Sequence, residues 1–354
     1  MAEARSIEAL SFHFTAGVAA GTLLSGAFRS PWILSGGVFL VIALWTASLL
    51  RKEGRERLVL PLFLLCGLSC ALSASVSGPF LPGGTLGKIA SEAATRLRQH
   101  IDGIPFASEE TAPLLKALLT GDRSALSRET VHVFRDSGAS HLLALSGLHM
   151  GILYLFLSRL TWIAGSSPRI RALRYGLMVT AAAFFTLMAG ASPSLVRAFL
   201  FILINETRRI LGRPKDPVRV LSAALLIQLA ADPSVIRSTG FQLSYLAMAG
   251  IFLLYPHLER WYPEGGRFNP LRKVWQTAAL SVSCQVFTGP LAWVRFHSFP
   301  VHFLLTNLLA IPLTTLLMGS AVLMLVTGSP AFLASLTDRL ARLLSECLRI
   351  IASM

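Results

Sequence analysis

Long apolar runs, interrupted at intervals by short clusters of Arg, Lys, Gly and Pro, set the pattern of this chain. Helices of about 17–25 mostly apolar residues can cross a bilayer. Such runs fall at Ser11–Phe28, Trp32–Leu50, Leu58–Ser77, His141–Leu160, Tyr175–Ala191, Leu195–Leu211, Val218–Ala231, Phe241–Leu258, Val274–Val294 and Val301–Val326. About ten transmembrane helices are therefore expected, and the fold class is an all-α polytopic membrane protein. The run Val218–Ala231 is short and predicts a tilted or half-inserted helix. Pro312 removes a hydrogen bond inside the last run and predicts a helix broken into two halves.

The segment from Gly78 to Ala139 is not apolar. Thr85–Ile101 and Ala112–Leu119 read as amphipathic helices, and Ser127, a good N-cap with Glu129 in the first turn, starts a third. After Pro330, Arg339, Arg342 and Arg349 recur among leucines at helical spacing, which predicts a helix lying at the cytoplasmic interface. Four regions follow: a three-span region (1–80), an external helical segment (81–139), a membrane core (140–328) and a C-terminal amphipathic helix (329–354).

Lys and Arg collect in cytoplasmic loops. The run Arg51-Lys52-Glu53-Gly54-Arg55-Glu56-Arg57 marks one such loop. Alternate counting puts the groups around Arg169–Arg174, Arg208–Lys215 and Arg260–Lys273 on the same side. The N-terminus is then cytoplasmic, and 78–139 lies outside. The chain starts without a basic n-region and cleavage site, so the first run is expected to be retained as a span.

Composition agrees with the pattern. Of 354 residues, 53% are hydrophobic and 14% charged, and the mean hydropathy is +0.62. A net charge of +14 is what basic cytoplasmic loops alone produce, so it does not by itself mark a nucleic-acid surface. Cys66, Cys70, Cys284 and Cys347 show no metal-ligand spacing, and no metal or cofactor site is expected. There is no GxxxxGK[ST] loop and no HxHxDH or HExxH cluster, so a motor or nuclease would be a separate protein.

The candidate chemistry lies in polar groups set among leucines, which are costly in hydrocarbon unless they face protein or water. His141, Ser146 and His149 fall in the fourth run. In that run Ala144, Gly147 and Gly151 form a small-residue face that would let another helix approach closely. Arg197 lies one turn into the next-but-one run, after Ser192-Pro193-Ser194. Glu206 and Arg209 stand at i and i+3 and should pair. Gln228, Gln242, Gln285 and Asn307 continue the series, each either interhelical glue or part of a shared polar path.

The stretch Gly121–Gly151, with its GDR turn, Phe134, Ser140-His141-Leu142-Leu143 and Ser146-Gly147-Leu148-His149, resembles the signature of ComEC-type competence proteins. Ala191–Ala198 (ASPSLVRA), Asp232–Tyr245 (DPSVIRSTGFQLSY), Gln285 and Asn307–Pro312 follow that family's order over about Ala112 to Val326. The resemblance implies a channel of the bacterial cytoplasmic membrane for uptake of single-stranded DNA in natural transformation. His141, His149, Arg197 and Gln242 are its matched pore candidates, with Ser146, Gln285 and Asn307 beside them. The implied partners are single-stranded DNA, the lipid bilayer and a separate DNA receptor, nuclease and cytosolic helicase-type motor; an oligomer is open. Fuller members carry an external OB-type domain and a metallo-β-lactamase-like domain. This chain matches a short form without either, so no nuclease activity is expected. Two other classes remain at this stage. One is a transporter or scaffold of divergent role. The other is an intramembrane hydrolase using Ser146 and His149, for which no acid in the same span orients the histidine.

Overall fold

The structure, a computed structural model, describes residues 6–24, 55–77, 85–162, 167–214, 216–262, 269–297 and 302–354. The expected span Trp32–Leu50 and most of the first basic loop lie outside them. Among the described residues there are fifteen α-helices, one 3-10 turn and no strand. In chain order the helices are α1 (Ile7–Leu24), α2 (Arg55–Ser77), α3 (Thr85–Asp102), α4 (Thr111–Thr120), α5 (Arg128–Asp136), α6 (Ser140–Leu143), α7 (Gly147–Trp162) and α8 (Pro168–Met188). They continue with α9 (Pro193–Ile210), α10 (Pro217–Ala231), α11 (Thr239–Leu253), α12 (Tyr255–Glu259), α13 (Pro270–Phe296), α14 (Phe303–Val326) and α15 (Ala331–Ala352).

Among the described residues, three helices are long and apolar enough to cross a membrane: Ile7–Leu24, Arg169–Met188 and Phe303–Val326. Shorter apolar helices occupy Val59–Leu72, Pro217–Ala231 and Thr239–Leu253. The protein is thus an all-α membrane protein. Two expectations of continuity are corrected. The run His141–Leu160 is broken between α6 and α7. The run Val301–Val326 is whole over its described part, because α14 passes through Pro312 without interruption.

The chain divides into two compact units, each discontinuous in sequence. One comprises 1–82 and 203–242. In it α1 and α2 lie backbone to backbone. A Cβ at Gly17 would stand 1.9 Å from the Leu64 carbonyl oxygen, and one at Gly67 would stand 2.1 Å from that of Phe14. Small residues drive this kind of membrane packing, where dispersion replaces the hydrophobic effect. The 3-10 turn Pro233–Arg237 and α10 pack on the same pair.

The other unit comprises 83–202 and 243–354. Its main core joins Ile101, Leu114, Leu115, Leu118, Phe134 and Leu142 to Leu317 and Met324 of α14 and to Leu344 and Leu348 of α15. The amphipathic helices expected upstream of the signature are here as α3, α4 and α5, and Ser127 caps α5 by accepting from the Thr130 amide at 3.0 Å.

Polar ties fix α15 to this segment. Asp338, 2% exposed, accepts from the Ser108 amide at 3.1 Å and the Thr111 hydroxyl at 2.7 Å. Arg349 reaches Glu129 at 3.6 Å, and His100 reaches Ser329 at 3.2 Å. A helix tied at both ends to residues 100–129 should share their side of the bilayer. The sequence reading put that segment outside and α15 at the cytoplasmic interface, a pairing that cysteine labelling tests. α10 and α11 have 15 residues each, and at 1.5 Å per residue they rise about 22 Å against a hydrocarbon core of about 30 Å.

Candidate functional site at a broken helix

The break at residues 144–146 is built by local chemistry. Ala144 ends α6 in an extended conformation, φ −83° and ψ 123°. Leu145 then turns inward and is buried against Gly121. Gly121 closes α4 in the left-handed region at φ 78°, and a Cβ there would meet Leu145 Cδ1 at 2.7 Å. The glycine of the GDR turn therefore both ends one helix and makes room for the break in the next.

Ser146 and His149 then restart the helix. The Ser146 hydroxyl accepts from the Leu148 amide at 3.3 Å, and the Ser146 amide donates to His149 Nδ1 at 3.3 Å. This reciprocal pair is a capping box with histidine in the place usually held by Glu or Gln. A backbone amide can only donate, so Nδ1 carries the lone pair and the neutral ring carries its proton on Nε2. His149 is 0% exposed, and Nε2 has no partner among the described residues.

Arg197 approaches the same helix end from α9. It is 7% exposed, so it is buried rather than extended to the interface. Nη1 donates to the Ser244 carbonyl of α11, and the guanidinium lies 5.9 Å from the Tyr245 ring centroid. Nη2 stands 3.3 Å from where a Cβ of Gly147 would be, so the missing side chain is what admits the guanidinium. Nε is buried and unpartnered, and no carboxylate pairs with Arg197 among the described residues.

The remaining candidates lie as follows. His141, on α6, is exposed, with Nδ1 3.2 Å from the Gly138 carbonyl. The small-residue face expected of Ala144, Gly147 and Gly151 does not form. Ala144 is exposed and off the helix, and Gly151 has nothing within 4 Å of a Cβ position. The physical reason is the break itself, which takes Ala144 out of helical phase. Asn307 of α14 donates to Ser281 of α13 at 3.3 Å, as interhelical glue does. Gln285 is half-buried on α13. Gln242 belongs to the other unit, where it donates to the Ile236 carbonyl at 2.7 Å. Glu206 and Arg209 pair at 3.6 Å, as their spacing required.

Sequence reasoning missed three participants: the Ser244 carbonyl, the Tyr245 ring and the buried Ser192 hydroxyl before α9, which has no partner among the described residues. The aromatic next to a polar residue in GFQLSY was the one signal available. The Ser146 hydroxyl lies 3.2 Å from His149 Nδ1. Both atoms are committed to the cap, however, and Nε2 has no carboxylate to orient it, so this is not the geometry of a nucleophile and its base.

The sequence from Leu118 to Met354, two thirds of the chain and including the whole broken-helix site, matches the family model described as Competence protein. The chain belongs to the competence protein family. Three curated relatives illustrate the likeness. Uncharacterized protein YcaI of Escherichia coli is 28% identical over 55% of this chain and 26% of its own length. ComE operon protein 3 of Bacillus subtilis is 25% identical over 62% of this chain and 27% of its own. Competence protein ComA of Neisseria gonorrhoeae is 32% identical over 64% and 33%. The competence-family chain thus spans about a quarter to a third of the length of these relatives. No solved structure matches it.

Proposed function

We propose that this chain is a membrane channel subunit for DNA uptake in natural transformation, passing a single strand inward across the bacterial cytoplasmic membrane with its N-terminus on the cytoplasmic side. Membership of the competence family supports a role in DNA uptake. The observation that carries the channel reading is the buried, carboxylate-free guanidinium of Arg197 at the broken end of α7. A cation in that position is costly unless an anion visits it. A phosphodiester chain is such an anion, and backbone ends and polar side chains replace its water along a lined path. His141, Ser146, His149, Arg197, Gln242, Gln285 and Asn307 are the path candidates, with about ten crossings framing them. A separate receptor, nuclease and cytosolic motor complete the system.

The test is deletion of the gene in its own host, followed by transformation with labelled double-stranded DNA. Transformation should fall by orders of magnitude, with label still bound outside the cell but none passing into the cytoplasm. Normal entry of label in the deletion strain would refute the channel role.

A further inference from the structure

The geometry points to a binding station for one phosphate-type oxyanion, built from the amino end of α7, His149 Nε2–H and the Arg197 guanidinium. The inference deepens the DNA-path reading and relies on it only for the ligand's source, a phosphodiester of the transported strand; the charge and shape of the ligand follow from the site alone.

The first argument is electrostatic. A helix carries about +0.5 elementary charge at its amino end, so a guanidinium there meets repulsion and belongs at the opposite end. Here Gly147, the first residue of α7, has no side chain, and Arg197 comes within van der Waals reach of its Cα region. Two positive ends are thus brought together in a buried place, with no carboxylate on Arg197 among the described residues. Such an arrangement is stabilised when an anion lies between them.

The second argument is the donor census. The capping box consumes the Leu148 amide and the acceptor lone pair of His149, and leaves Nε2–H as a donor. Arg197 gives Nη1 to the Ser244 carbonyl and keeps Nε–H unpartnered. The other first-turn amides of α7 have no intrahelical acceptor. The site therefore offers donors and a positive charge from two chain segments, α7 and α9. A planar fork beside further N–H groups suits an oxyanion with two free oxygens, as in a phosphodiester. Tyr245, against the guanidinium, holds the fork in place.

The test uses the full chain in detergent, with fluorescein-labelled oligothymidylate, inorganic phosphate and phosphatidylglycerol as probes. The informative variant is His149→Glu. Glutamate is the usual capping-box residue, so the helix start is kept, while its carboxylate removes the Nε2–H donor and puts a negative charge at the amino end of α7. His149→Glu should melt at or above the wild-type temperature and bind oligothymidylate at least tenfold more weakly. His149→Gln, which keeps both cap and donor, should lose only a few-fold. Arg197→Gln should lose tenfold or more, and Arg197→Lys, which keeps charge but not the fork, should fall between. Inorganic phosphate should compete with the oligonucleotide on the wild type and fail to stabilise His149→Glu. Wild-type binding of oligonucleotide and phosphate by a well-folded His149→Glu protein would overturn the station. Stabilisation by phosphatidylglycerol alone would overturn its assignment to DNA. If His149→Glu loses binding in vitro yet transforms normally in cells, the station stands and the DNA-path reading fails.

Discussion

Asp338 ties the C-terminal helix to the rest of its unit, and truncating it should loosen that unit measurably. Its Oδ1 accepts from both the Ser108 amide and the Thr111 hydroxyl, at 3.1 and 2.7 Å, while Oδ2 meets Arg342 at 3.0 Å. It thus ties the turn before α4 and the first residue of that helix to α15 from over 200 residues away. Hydrogen bonds to a charged group contribute about 1.5–3 kcal/mol each, and both donors would be left in a buried place. Arg342 is 54% exposed, so that pair adds at most about 1 kcal/mol. Allowing for non-additivity, Asp338→Ala should cost about 3–5 kcal/mol. Asp338→Asn can present its amide oxygen at the Oδ1 position and keep both bonds as neutral ones, roughly half as strong, so it should cost about 1–2 kcal/mol. Arg342→Ala should cost less than about 1 kcal/mol. Thermal unfolding of the purified protein in detergent, followed by the fluorescence of a thiol dye on Cys347, orders the three variants. Equal stability of Asp338→Ala and wild type would refute this tertiary tie. An Asn variant as unstable as Ala would show that charge, not hydrogen bonding, holds the helix.

Single cysteines at Ser91 and Ser353, in a background without the four native cysteines, should react with an impermeant maleimide from the same side of the membrane, and one at Arg169 from the opposite side; opposite labelling of Ser91 and Ser353 would break the shared-side argument. Gly17→Ala places a methyl group against the Leu64 carbonyl oxygen, where backbone cannot yield, so α1 and α2 must part; a loss of about 2 kcal/mol or more is expected, whereas Gly151→Ala, with open space around it, should be neutral or slightly stabilising by helix propensity. At Asp122, the Ser124 hydroxyl and amide hold the carboxyl below its ordinary range, with Arg98 and Lys116 adding to the effect. A depressed carboxyl stabilises the fold above the unfolded value of about 3.9 and loses that contribution as pH falls through the folded one. Melting temperature measured from pH 5 down to pH 3 should therefore fall more steeply for wild type than for Asp122→Asn.

Much of this protein follows from local pattern. Apolar length places the helices, because a backbone in hydrocarbon must satisfy its own hydrogen bonds, and Ser127, Pro193 and Gly121 mark ends by chemistry that acts within one turn. The polar residues of the signature were legible as candidates because a charge or imidazole among leucines is expensive wherever the chain goes. Their geometry was not. Whether His141–Leu160 forms one helix or two depends on Leu145 finding space over Gly121, a contact between segments far apart in sequence. Once that space exists, Ser146 and His149 cap a new helix, and Ala144 and Gly151 lose their shared face. Arg197 had no visible partner along its own helix, and the structure supplies a carbonyl, a ring and a helix end from two others. Asp338, on the amphipathic C-terminal helix, faces the core and ties that helix to Ser108 and Thr111, which local pattern could not show. Local propensity fixes where helices start and stop; which of their ends meet, and whether two like charges are brought together, is set by side-chain volume across the whole fold.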